Sequence, residues 1–539
     1  MRTGFAGRRP ILQKAGSEKG TPMKAVCGTI FALAAFILFA FGGDSKHQLI
    51  GSGAVPMSFT NCGPAGNGFP CMFWGVQVHD LSSYPLQVPY GQFRGWDGAN
   101  ANWPAIAANC NPSSPPTSSC FDWTNLDAEL TNVRAQANVN DVFYTLSRTP
   151  PWAVTQQQQN DPNCNYYALG SEYHGACYPP IDVADDGSGT DQIWRNWVAA
   201  IALHVNAATY AGGHIKYWEI WNEIYRSSTL QFNPFGPPYS FEGSYNQLVR
   251  MAQDANCIIA GRVQTITATG ESCQTVLGTV GLTSSLDPNA VIVSPSTSVP
   301  AAAKVLENFL RCDMQHKATC TTGGSGFNAV DVINVHAYAS TKVETPEYVA
   351  GTEIPKVFSI AGGKPVWSGE GSWGNTAAQG NIWQDPYAQA GFIPRFFALY
   401  WSAGVSGNFW YGYDFVDDGQ LFDPTQNVLL QPQANAWILT YNWLSGAVPM
   451  GSTFCQNSGT IYNCDFKEAV GGRVARLVWD SSYGQNCSEM SVPIICGDTS
   501  YNVPLQFSID WIDLSGTAHP ASSNVIIGAN PILLEGPAR

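Results

Sequence analysis

Two short aromatic segments of the chain each end close to a glutamate. They are Tyr217-Trp-Glu-Ile-Trp-Asn-Glu223 and Val366-Trp-Ser-Gly-Glu-Gly371. Both runs are apolar enough to form buried strands, which would place Glu223 and Glu370 at strand ends. Two facing carboxyl groups can hydrolyse a glycosidic bond, because one protonates the leaving oxygen while the other attacks or stabilises the sugar. The alternative is a pair of strand-end glutamates in salt bridges, but the neighbouring Asn222 and the aromatic residues favour the catalytic interpretation.

The elements that must position these glutamates alternate regularly between residues 72 and 446. We predict eight short strands, at Met72–Val78, Gln92–Trp96, Val142–Leu146, Ile215–Ile220, Val291–Val293, Val332–Val335, Pro365–Trp367 and Gly407–Trp410. Helical patterns lie between or after them, at Asn125–Gln136, Gln192–Val205, Ser244–Asp254, Ala301–Leu310, Tyr387–Ser402 and Ala434–Leu444. Eight strand–helix units predict an α/β fold, a (β/α)8 TIM barrel. Active sites of such barrels lie at the carboxyl ends of the strands, where Glu223 and Glu370 would meet.

The pattern changes near Gly446, and this change predicts the domain organisation. Val474–Val478, Leu505–Ile509 and Val525–Leu534 are short β-rich runs separated by Gly, Asn, Ser and Pro. We therefore predict a barrel at 71–446 and a β-sandwich at 447–539, with 43–70 as a linker that adds a strand to the sandwich.

The N-terminal segment has the pattern of an export signal. Lys24 precedes an apolar run from Ala25 to Phe41, and Ala40-Phe-Gly42 offers small residues for cleavage. We predict a signal peptide at 1–42 and a secreted or periplasmic protein. The alternative is an uncleaved anchor, which is the one case in which a membrane would be a partner.

The spacing of the fifteen cysteines agrees with export. Cys27 lies in the apolar run and would leave with the signal. The other fourteen form seven close couples, Cys62/Cys71, Cys110/Cys120, Cys164/Cys177, Cys257/Cys273, Cys312/Cys320, Cys455/Cys464 and Cys487/Cys496. Local disulfides are the economical interpretation. A metal site is not expected, because no C-x-x-C pair occurs and the eight histidines are scattered.

Composition narrows the classes of partner. The net charge of −14 argues against nucleic acid and strongly anionic polymers as ligands. The 18 Trp and 22 Tyr provide flat apolar rings with a polar group, which suits the faces of sugars. A polysaccharide or oligosaccharide is therefore the expected partner, with no cofactor.

The pair formed by Asn222-Glu223 after strand four and Glu370 after strand seven resembles the retaining glycoside hydrolases of clan A, over residues 72–446. Trp218-Glu-Ile-Trp-Asn-Glu223, Thr149-Pro-Pro-Trp-Ala153 and Arg94-Gly-Trp-Asp97 are most similar to family 39, the β-xylosidase and α-L-iduronidase family. Ser368-Gly-Glu370-Gly differs from the Thr-Glu-(Trp/Phe)-Gly form of that family. The resemblance implies that Glu223 is the acid/base and Glu370 the nucleophile.

The same resemblance implies several substrate-binding residues. His336-Ala-Tyr338 matches the His-x-Tyr pattern of the clan, in which Tyr holds the nucleophile and His lines the sugar pocket. Trp410 takes the place of the aromatic platform beneath the cleaved sugar, and Trp152 lies in the matched segment after strand three. The alternative for His336, Tyr338 and Trp410 is an ordinary place in the core.

Other polar residues are assigned from chemistry. The amide of Asn222 can hydrogen-bond a sugar 2-hydroxyl as the transition state forms. Arg94 would orient Glu370, or else lie on the surface or behind the site, and His79 would bind a sugar hydroxyl. Glu219, inside strand four, needs a buried partner such as Arg94, which makes it structural.

The acidic, glycine-rich loop Asp182–Asp191 is open to two interpretations. A calcium site is one, but its spacing does not fit an EF-hand. A solvated turn, with Asp191 as the N-cap of the next helix, is the other.

Three functions remain. The first is an exported retaining glycosidase acting on β-linked neutral glycans; the second is a catalytically silent carbohydrate-binding protein; the third is a surface adhesin. Intact Glu223 and Glu370 favour the first.

Overall fold

The computed structural model describes residues 68–538 apart from several short segments. The segments left out are 99, 136–138, 140, 165–168, 208–209, 225–239, 312–325, 343, 379, 417, 485 and 521. The predicted signal peptide and most of the predicted linker at 43–70 therefore lie outside the described residues.

Eight parallel strands form the barrel. They are β1 (Gly75–Val76), β2 (Gln92–Gly95), β3 (Asp141–Thr145), β4 (His214–Glu219), β5 (Val291–Val293), β6 (Ile333–His336), β7 (Val366–Gly371) and β8 (Gly407–Trp410). Each pairs with its neighbour in sequence, and β1 pairs with β8. A parallel bridge between Val293 and Val332 connects the last two edges, β5 and β6. The predicted (β/α)8 barrel is confirmed, with every predicted strand overlapping an observed one.

Helices cover the outside of the barrel. They are α1 (Trp103–Ile106), α2 (Thr124–Ala135), α3 (Gln156–Gln159), α4 (Gln192–Val205), α5 (Tyr245–Ile259), α6 (Cys273–Thr279), α7 (Ala302–Arg311), α8 (Pro346–Tyr348), α9 (Ile354–Ile360), α10 (Pro386–Ser402) and α11 (Gln433–Leu444). Capping residues mark where two of these helices begin. Ser244 and Gln247 form a capping box at α5, and Asp385 caps α10, which has a proline in its first turn.

The lower half of the barrel interior is apolar. One cluster contains one side chain on or next to each of the strands β3 to β8. Its members are Phe143, Tyr217, Val293, Val332, Trp367 and Phe409. Because strand side chains alternate between faces, the residue after each of these points outward to the helices. The polar residues at the carboxyl ends of the strands lie next to this apolar cluster.

The start of α4 agrees with the prediction, but the side chain that caps it does not. Asp191 occupies the N-cap position in the left-handed region (φ 50°), and its side chain makes no capping hydrogen bond. Asp182 takes that role, because its Oδ2 accepts from the backbone nitrogens of Gln192 (2.5 Å) and Ile193 (3.2 Å). The predicted N-cap position of Asp191 is confirmed, but its capping role was wrong, because the loop folds back far enough to bring the earlier Asp182 to the helix start.

A guanidinium fills the interior of the Asp182–Asp191 loop. Arg250 donates to the carbonyl oxygens of Gly187 (2.9 Å), Gly189 (3.3 Å) and Thr190 (3.1 Å). Backbone carbonyls are typical calcium ligands, and here they already bind a cationic side chain. These carbonyl oxygens are therefore occupied by Arg250, which favours the interpretation of the loop as a turn.

The C-terminal region consists of antiparallel sheets. A hairpin of β9 (Phe422–Asp423) and β10 (Val428–Leu429) precedes α11. Beyond α11 the strands are β11 (Val448–Pro449), β12 (Cys455–Ser458), β13 (Ile461–Lys467), β14 (Arg473–Asp480), β15 (Thr499–Asn502), β16 (Asp510–Ile512), β17 (Ala518–Pro520), β18 (Asn524–Ile527) and β19 (Ile532–Ala538). Seven of them form one sheet, and β15 and β18 form a second.

The two sheets face each other as a β-sandwich. Val474 and Val478 of β14 pack in one apolar cluster with Val525 and Ile527 of β18. The alternate residue Leu477 belongs to the cluster shared with the barrel. One predicted strand run is corrected, because Leu505–Phe507 is a 3-10 turn with Leu505 92% exposed.

Polar contacts join the sandwich to the barrel. The indole of Trp479 donates to Glu347 Oε1 (2.9 Å), and Arg395 of α10 donates to Glu347 Oε2 (2.7 Å). At the start of the described chain, Phe69 exchanges backbone hydrogen bonds with Gly446 and Ala447. The strand expected earlier in the linker falls outside the described residues.

Five of the seven predicted disulfides are present. They are Cys110–Cys120, Cys164–Cys177, Cys257–Cys273, Cys455–Cys464 and Cys487–Cys496. Cys62 and the pair Cys312 and Cys320 lie outside the described residues. In the described part of the chain, no helix is both long and apolar enough to cross a membrane.

The close approach of α10 to the sandwich gives a first testable expectation. A methyl group at Gly391 would overlap with Asn530, whose Nδ2 donates to Tyr387 O (3.0 Å). We expect Gly391→Ala to lower the free energy of unfolding by about 1–3 kcal/mol, as overpacking does. Gly278→Ala in α6 is the matched control, because no atom lies within 4 Å of the added methyl. It should raise stability by about 0.5–1 kcal/mol. Urea unfolding of both variants measures the difference, and stabilisation by Gly391→Ala would contradict this packing.

Candidate active site

The turn after β4 holds Glu223 in an unusual backbone conformation. Glu223 has φ 55°, in the left-handed region that residues other than glycine rarely adopt. Two serines after β5 stabilise it: its backbone nitrogen donates to Ser296 Oγ (3.0 Å), and Ser298 Oγ donates to its Oε1 (2.9 Å). Strained backbone of this kind is maintained where the surroundings fix a side chain in place.

A β-bulge turns Glu370 toward the barrel axis. Relative to both β6 and β8, β7 contains one extra residue between Ser368 and Gly371. Trp367 points inward, so simple alternation would put Gly369 inward and Glu370 outward. The bulge makes both residues point inward. Glycine fits at position 369, whereas a methyl group there would overlap with Asn334.

Arg94 of β2 links the residues of three strands. Its Nη1 donates to Glu370 Oε1 (2.5 Å) and its Nη2 donates to Glu219 Oε2 (2.6 Å). Nη2 also donates to Asn222 Oδ1 (2.9 Å), which leaves the Asn222 amide nitrogen to donate to a ligand. Burial alone would lower the pKa of the guanidinium, but Glu219 and Glu370 raise it above its ordinary value. Arg94 therefore orients Glu370, as predicted.

Glu219 lies beneath the site and is fully buried. In addition to Arg94, it accepts from Thr145 Oγ1 at Oε2 (2.5 Å) and from Asn334 Nδ2 at Oε1 (2.8 Å). Removing one partner of a buried pair leaves an uncompensated charge, so this residue holds Arg94 in place. The predicted pairing of Glu219 with Arg94 is confirmed.

The second side of Glu370 faces His336 and Tyr338. The Tyr338 hydroxyl donates to Glu370 Oε2 (2.9 Å), and His336 Nδ1 lies 3.1 Å from the same oxygen. His336 Nδ1 is also 3.1 Å from Glu223 Oε1, so the imidazole lies between the two glutamates. Burial alone would lower the pKa of His336, but Glu370 and Glu223 raise it to about 9. At neutral pH a positive imidazole therefore lies between the side chains of Glu370 and Glu223.

The two glutamates face each other across a short gap. One carboxylate oxygen of Glu223, one of Glu370 and a ring nitrogen of His336 all lie within 4.8 Å of one another. Among the described residues, this trio has the geometry to hold a metal ion. However, Arg94 and Tyr338 already bind the two oxygens of Glu370, and the positive Arg94 opposes a metal cation.

A second charged group borders the site next to Glu370. His79 Nε2 lies 3.4 Å from Asp97 Oδ2, and His79 Nδ1 lies 3.3 Å from Asp414 Oδ1. Asp97 also accepts from Gln77 Nε2 (2.5 Å), and Gln77 Oε1 accepts from Arg94 (3.1 Å). A continuous chain of hydrogen bonds thus runs from His79 to the residue that orients Glu370.

The ion pairs of His79 predict a loss of stability in alkali. Burial alone would lower its pKa, but Asp97 and Asp414 raise it to about 10. Since the folded-state pKa exceeds the ordinary value of 6.5, the stabilisation is complete below about pH 6.5 and disappears as pH rises through 10. We expect His79→Gln to lower the unfolding free energy by a few kcal/mol at pH 6 and to have little effect near pH 10.5. Thermal unfolding across this range is the measurement, and an equal effect at both pH values would contradict it.

Two site residues were missed by the sequence reasoning. Tyr411, directly after β8, lies 6.2 Å from Tyr338 between ring centres, and its hydroxyl donates to Asp97 (3.3 Å). Asp418 accepts from Ser372 Oγ (3.5 Å), and burial together with the charge of Glu370 raises its pKa to about 7. Both lie in the loop after β8, where no motif marks them.

One predicted substrate-binding residue, Trp410, is corrected. Trp410 is fully buried, packs against Phe396 and Trp437 of the outer helices, and donates to Gly419 O (2.7 Å). The indole of Trp152 donates to Ala107 O (2.8 Å) and its ring packs edge-on against Trp103. Trp410 therefore points away from the two glutamates, and a substrate-binding role for Trp152, whose ring is partly exposed, stays a prediction. The structure brings together the remaining predicted residues, Asn222, Glu223, Glu370, His336, Tyr338, Arg94 and His79.

The chain matches no protein-family model and no curated protein. Solved structures similar to it include a bifunctional glucanase-xylanase from a metagenome library, at 11% identity and a TM-score of 0.44 over 87% of this chain and 95% of that one. A glycoside hydrolase family 30 subfamily 8 xylanase from Clostridium acetobutylicum has 12% identity and a TM-score of 0.42, over 87% and 97% of the two chains.

The α-L-arabinofuranosidase of Thermotoga maritima has 11% identity and a TM-score of 0.43, over 76% of this chain and 81% of that one. These three structures are glycosidases by name. The resemblance to family 39 remains a prediction from the sequence motifs.

Proposed function

We propose that the protein is a retaining glycoside hydrolase of clan A, most similar to family 39, that cleaves β-linked neutral glycans. The observation that carries this proposal is the pair Glu223 and Glu370, with carboxylate oxygens within 4.8 Å of each other at the mouth of the barrel. Retaining enzymes have carboxyl groups about 5–5.5 Å apart, whereas inverting enzymes need about 6.5–9.5 Å to admit a water molecule.

Glu370 is the nucleophile in this mechanism. Arg94 and Tyr338 donate to its oxygens and His336 Nδ1 lies next to one of them, so the carboxylate is held in position for attack on the anomeric carbon. Burial and the neighbouring Glu370 raise the pKa of Tyr338 well above its ordinary value, so the phenol keeps its proton and remains a donor. The glycosyl group is then transferred to a carboxylate whose position is already fixed.

Glu223 is the acid/base. Its Oε1 accepts from Ser298 and lies beside His336, and its carboxyl group supplies the proton for the leaving oxygen. After the leaving group departs, the same carboxylate removes a proton from water, which hydrolyses the glycosyl–Glu370 ester. Asn222 lies beside Glu223, and its free amide hydrogens donate to the 2-hydroxyl of the sugar.

The charges of the mouth support a neutral substrate. Asp97 and Asp418 add carboxyl groups next to the two glutamates, and the whole chain has a net charge of −14. The net negative charge of the chain disfavours the approach of a glycan rich in carboxylate or sulfate groups. The hydroxyls of a neutral sugar can instead hydrogen-bond these carboxyl groups and His79.

The remaining parts of the proposal concern location and domains. Five disulfides agree with an oxidising compartment, and the sequence pattern of residues 1–42 agrees with an export signal. We therefore propose a secreted or periplasmic protein with a catalytic barrel at 71–446 and an accessory sandwich at 447–539.

Hydrolysis assays test the function directly. Wild-type protein and Glu370→Gln are assayed on a panel of 4-nitrophenyl β-glycosides and on xylan, glucan, galactan and arabinan. We expect the wild type to release nitrophenol or reducing ends from at least one substrate and Glu370→Gln to release none. Binding of a polysaccharide without cleavage by the wild type would instead support the catalytically silent binding protein.

A further inference from the structure

A polar cleft lies in the connection between β3 and α4. It has a volume of about 520 Å3 and is lined by Thr155, Gln157, Gln158, Asn160, Asp161, Pro162 and Tyr178. Connections that follow a barrel strand lie on the same face as the strand's carboxyl end. The cleft therefore opens on the face of the barrel that also presents Glu223 and Glu370.

The lining of the cleft matches the chemistry of a neutral sugar. The side-chain amides of Gln157 and Asn160 are exposed and form no hydrogen bond with any described residue, so their donors and acceptors are available. The hydroxyl of Tyr178 donates to Asp161 Oδ2 (2.7 Å), which fixes an aromatic ring and a carboxylate at one wall. Pro162 adds a small apolar surface. The described lining residues include no Lys, Arg or His.

Rigid packing connects this wall to the catalytic residues. Tyr178 packs against a cluster formed by Trp96, Cys164, Tyr173, Ala176 and Cys177, and the disulfide Cys164–Cys177 closes that segment. The guanidinium of Arg94, which binds Glu370, lies 5.6 Å from the ring of Trp96. The cluster that contacts Tyr178 thus also reaches the guanidinium that binds Glu370.

We propose that this cleft is a remote subsite that binds a neutral sugar unit of a glycan whose chain continues from the catalytic mouth. Gln157 and Asn160 hydrogen-bond the hydroxyls of that unit, and the Tyr178 ring contacts its apolar face. A glycan that occupies both places extends over several sugar units from the cleaved bond. This inference rests on the proposed function and adds to it the class of substrate, a polymer or long oligosaccharide.

The test compares a long and a short substrate. The double variant Gln157→Ala/Asn160→Ala is assayed for kcat/KM on the polysaccharide that the wild type cleaves and on the 4-nitrophenyl monoglycoside that it cleaves. We expect about a tenfold loss on the polysaccharide, since two net hydrogen bonds disappear, and less than a twofold change on the monoglycoside. Gln156→Ala is the matched control, because Gln156 is an exposed neighbour on α3 that does not line the cleft.

A binding measurement separates this inference from the proposed function. In Glu370→Gln protein, calorimetry with soluble fragments of that polysaccharide should show weaker binding when Gln157 and Asn160 are also replaced. An unchanged polysaccharide rate, an equal loss on both substrates or unchanged binding would overturn the subsite and leave the hydrolase proposal intact. A wild type that cleaves no glycoside would refute the proposed function, and the subsite with it.

Discussion

Replacing Glu370 with alanine is expected to abolish turnover on every substrate. The reason is that Glu370 supplies the bond-forming oxygen, which Arg94 (2.5 Å) and Tyr338 (2.9 Å) hold in place. Removal of a nucleophile lowers kcat by about four to six orders of magnitude in comparable covalent mechanisms. Steady-state assays on an aryl glycoside and on a polysaccharide are the measurement, and Glu172→Ala, an exposed glutamate in the connection after β3, is the control that should retain activity.

Adding azide to the Glu370→Ala variant tests whether Glu370 is the nucleophile. In Glu370→Ala the vacated space lets azide attack the anomeric carbon directly, while Glu223 still protonates the leaving group. One displacement in place of two gives a glycosyl azide of inverted configuration. A product of retained configuration from this variant would show that Glu370 is not the nucleophile.

Replacing Glu223 with alanine is expected to impair the two steps unequally. Substrates with good leaving groups need little protonation, so the first step should survive on dinitrophenyl glycosides and fail on glycans. A positioned acid/base contributes about 10²–10⁴ in rate, and we expect a kcat/KM loss of this size on substrates with poor leaving groups. Assays over a series of aryl leaving groups measure this dependence, which should be steeper than in the wild type.

Azide again provides the contrast. In Glu223→Ala it attacks the glycosyl–Glu370 ester from the face that water normally uses, and needs no base. Two displacements give a glycosyl azide of retained configuration. An inverted azide here, together with a retained one from Glu370→Ala, would reverse the two assignments.

The strands and the charged residues of the site could be predicted because their signals are local. Each barrel strand is a short buried apolar run between helical patterns, and β5 and β8 have the predicted limits. Arg94, Glu219 and Glu370 could be connected because a carboxylate buried inside a strand needs a cationic partner.

The error at Trp410 has a simple geometric cause. Phe409 points into the barrel interior, so the next residue along β8 must point outward to the helices. The resemblance placed an aromatic platform at that position, but the alternation of the strand decides the side. Tyr411, one residue further, returns to the mouth and lies near Tyr338.

Other features depend on contacts between segments that are distant in sequence. The bulge at Gly369 is defined only by pairing with both neighbouring strands. Ser298 reaches Glu223 across 75 residues, and Asp418 meets Ser372 across 46. Capping of α4 by Asp182 in place of Asp191 also depends on the path of a loop. Neither periodicity nor a short motif in the sequence indicates which distant segments come into contact.

The central claim is that Glu370 forms a covalent bond to the sugar. The most direct test is to incubate the wild type with a 2-deoxy-2-fluoro glycoside that carries a good leaving group, and to locate the added mass by peptide mass spectrometry. The fluorine slows hydrolysis of the intermediate, so the account predicts one glycosyl group per molecule, attached to the peptide containing Glu370. Labelling of Glu223, or hydrolysis of the parent glycoside without any labelled protein, would contradict it.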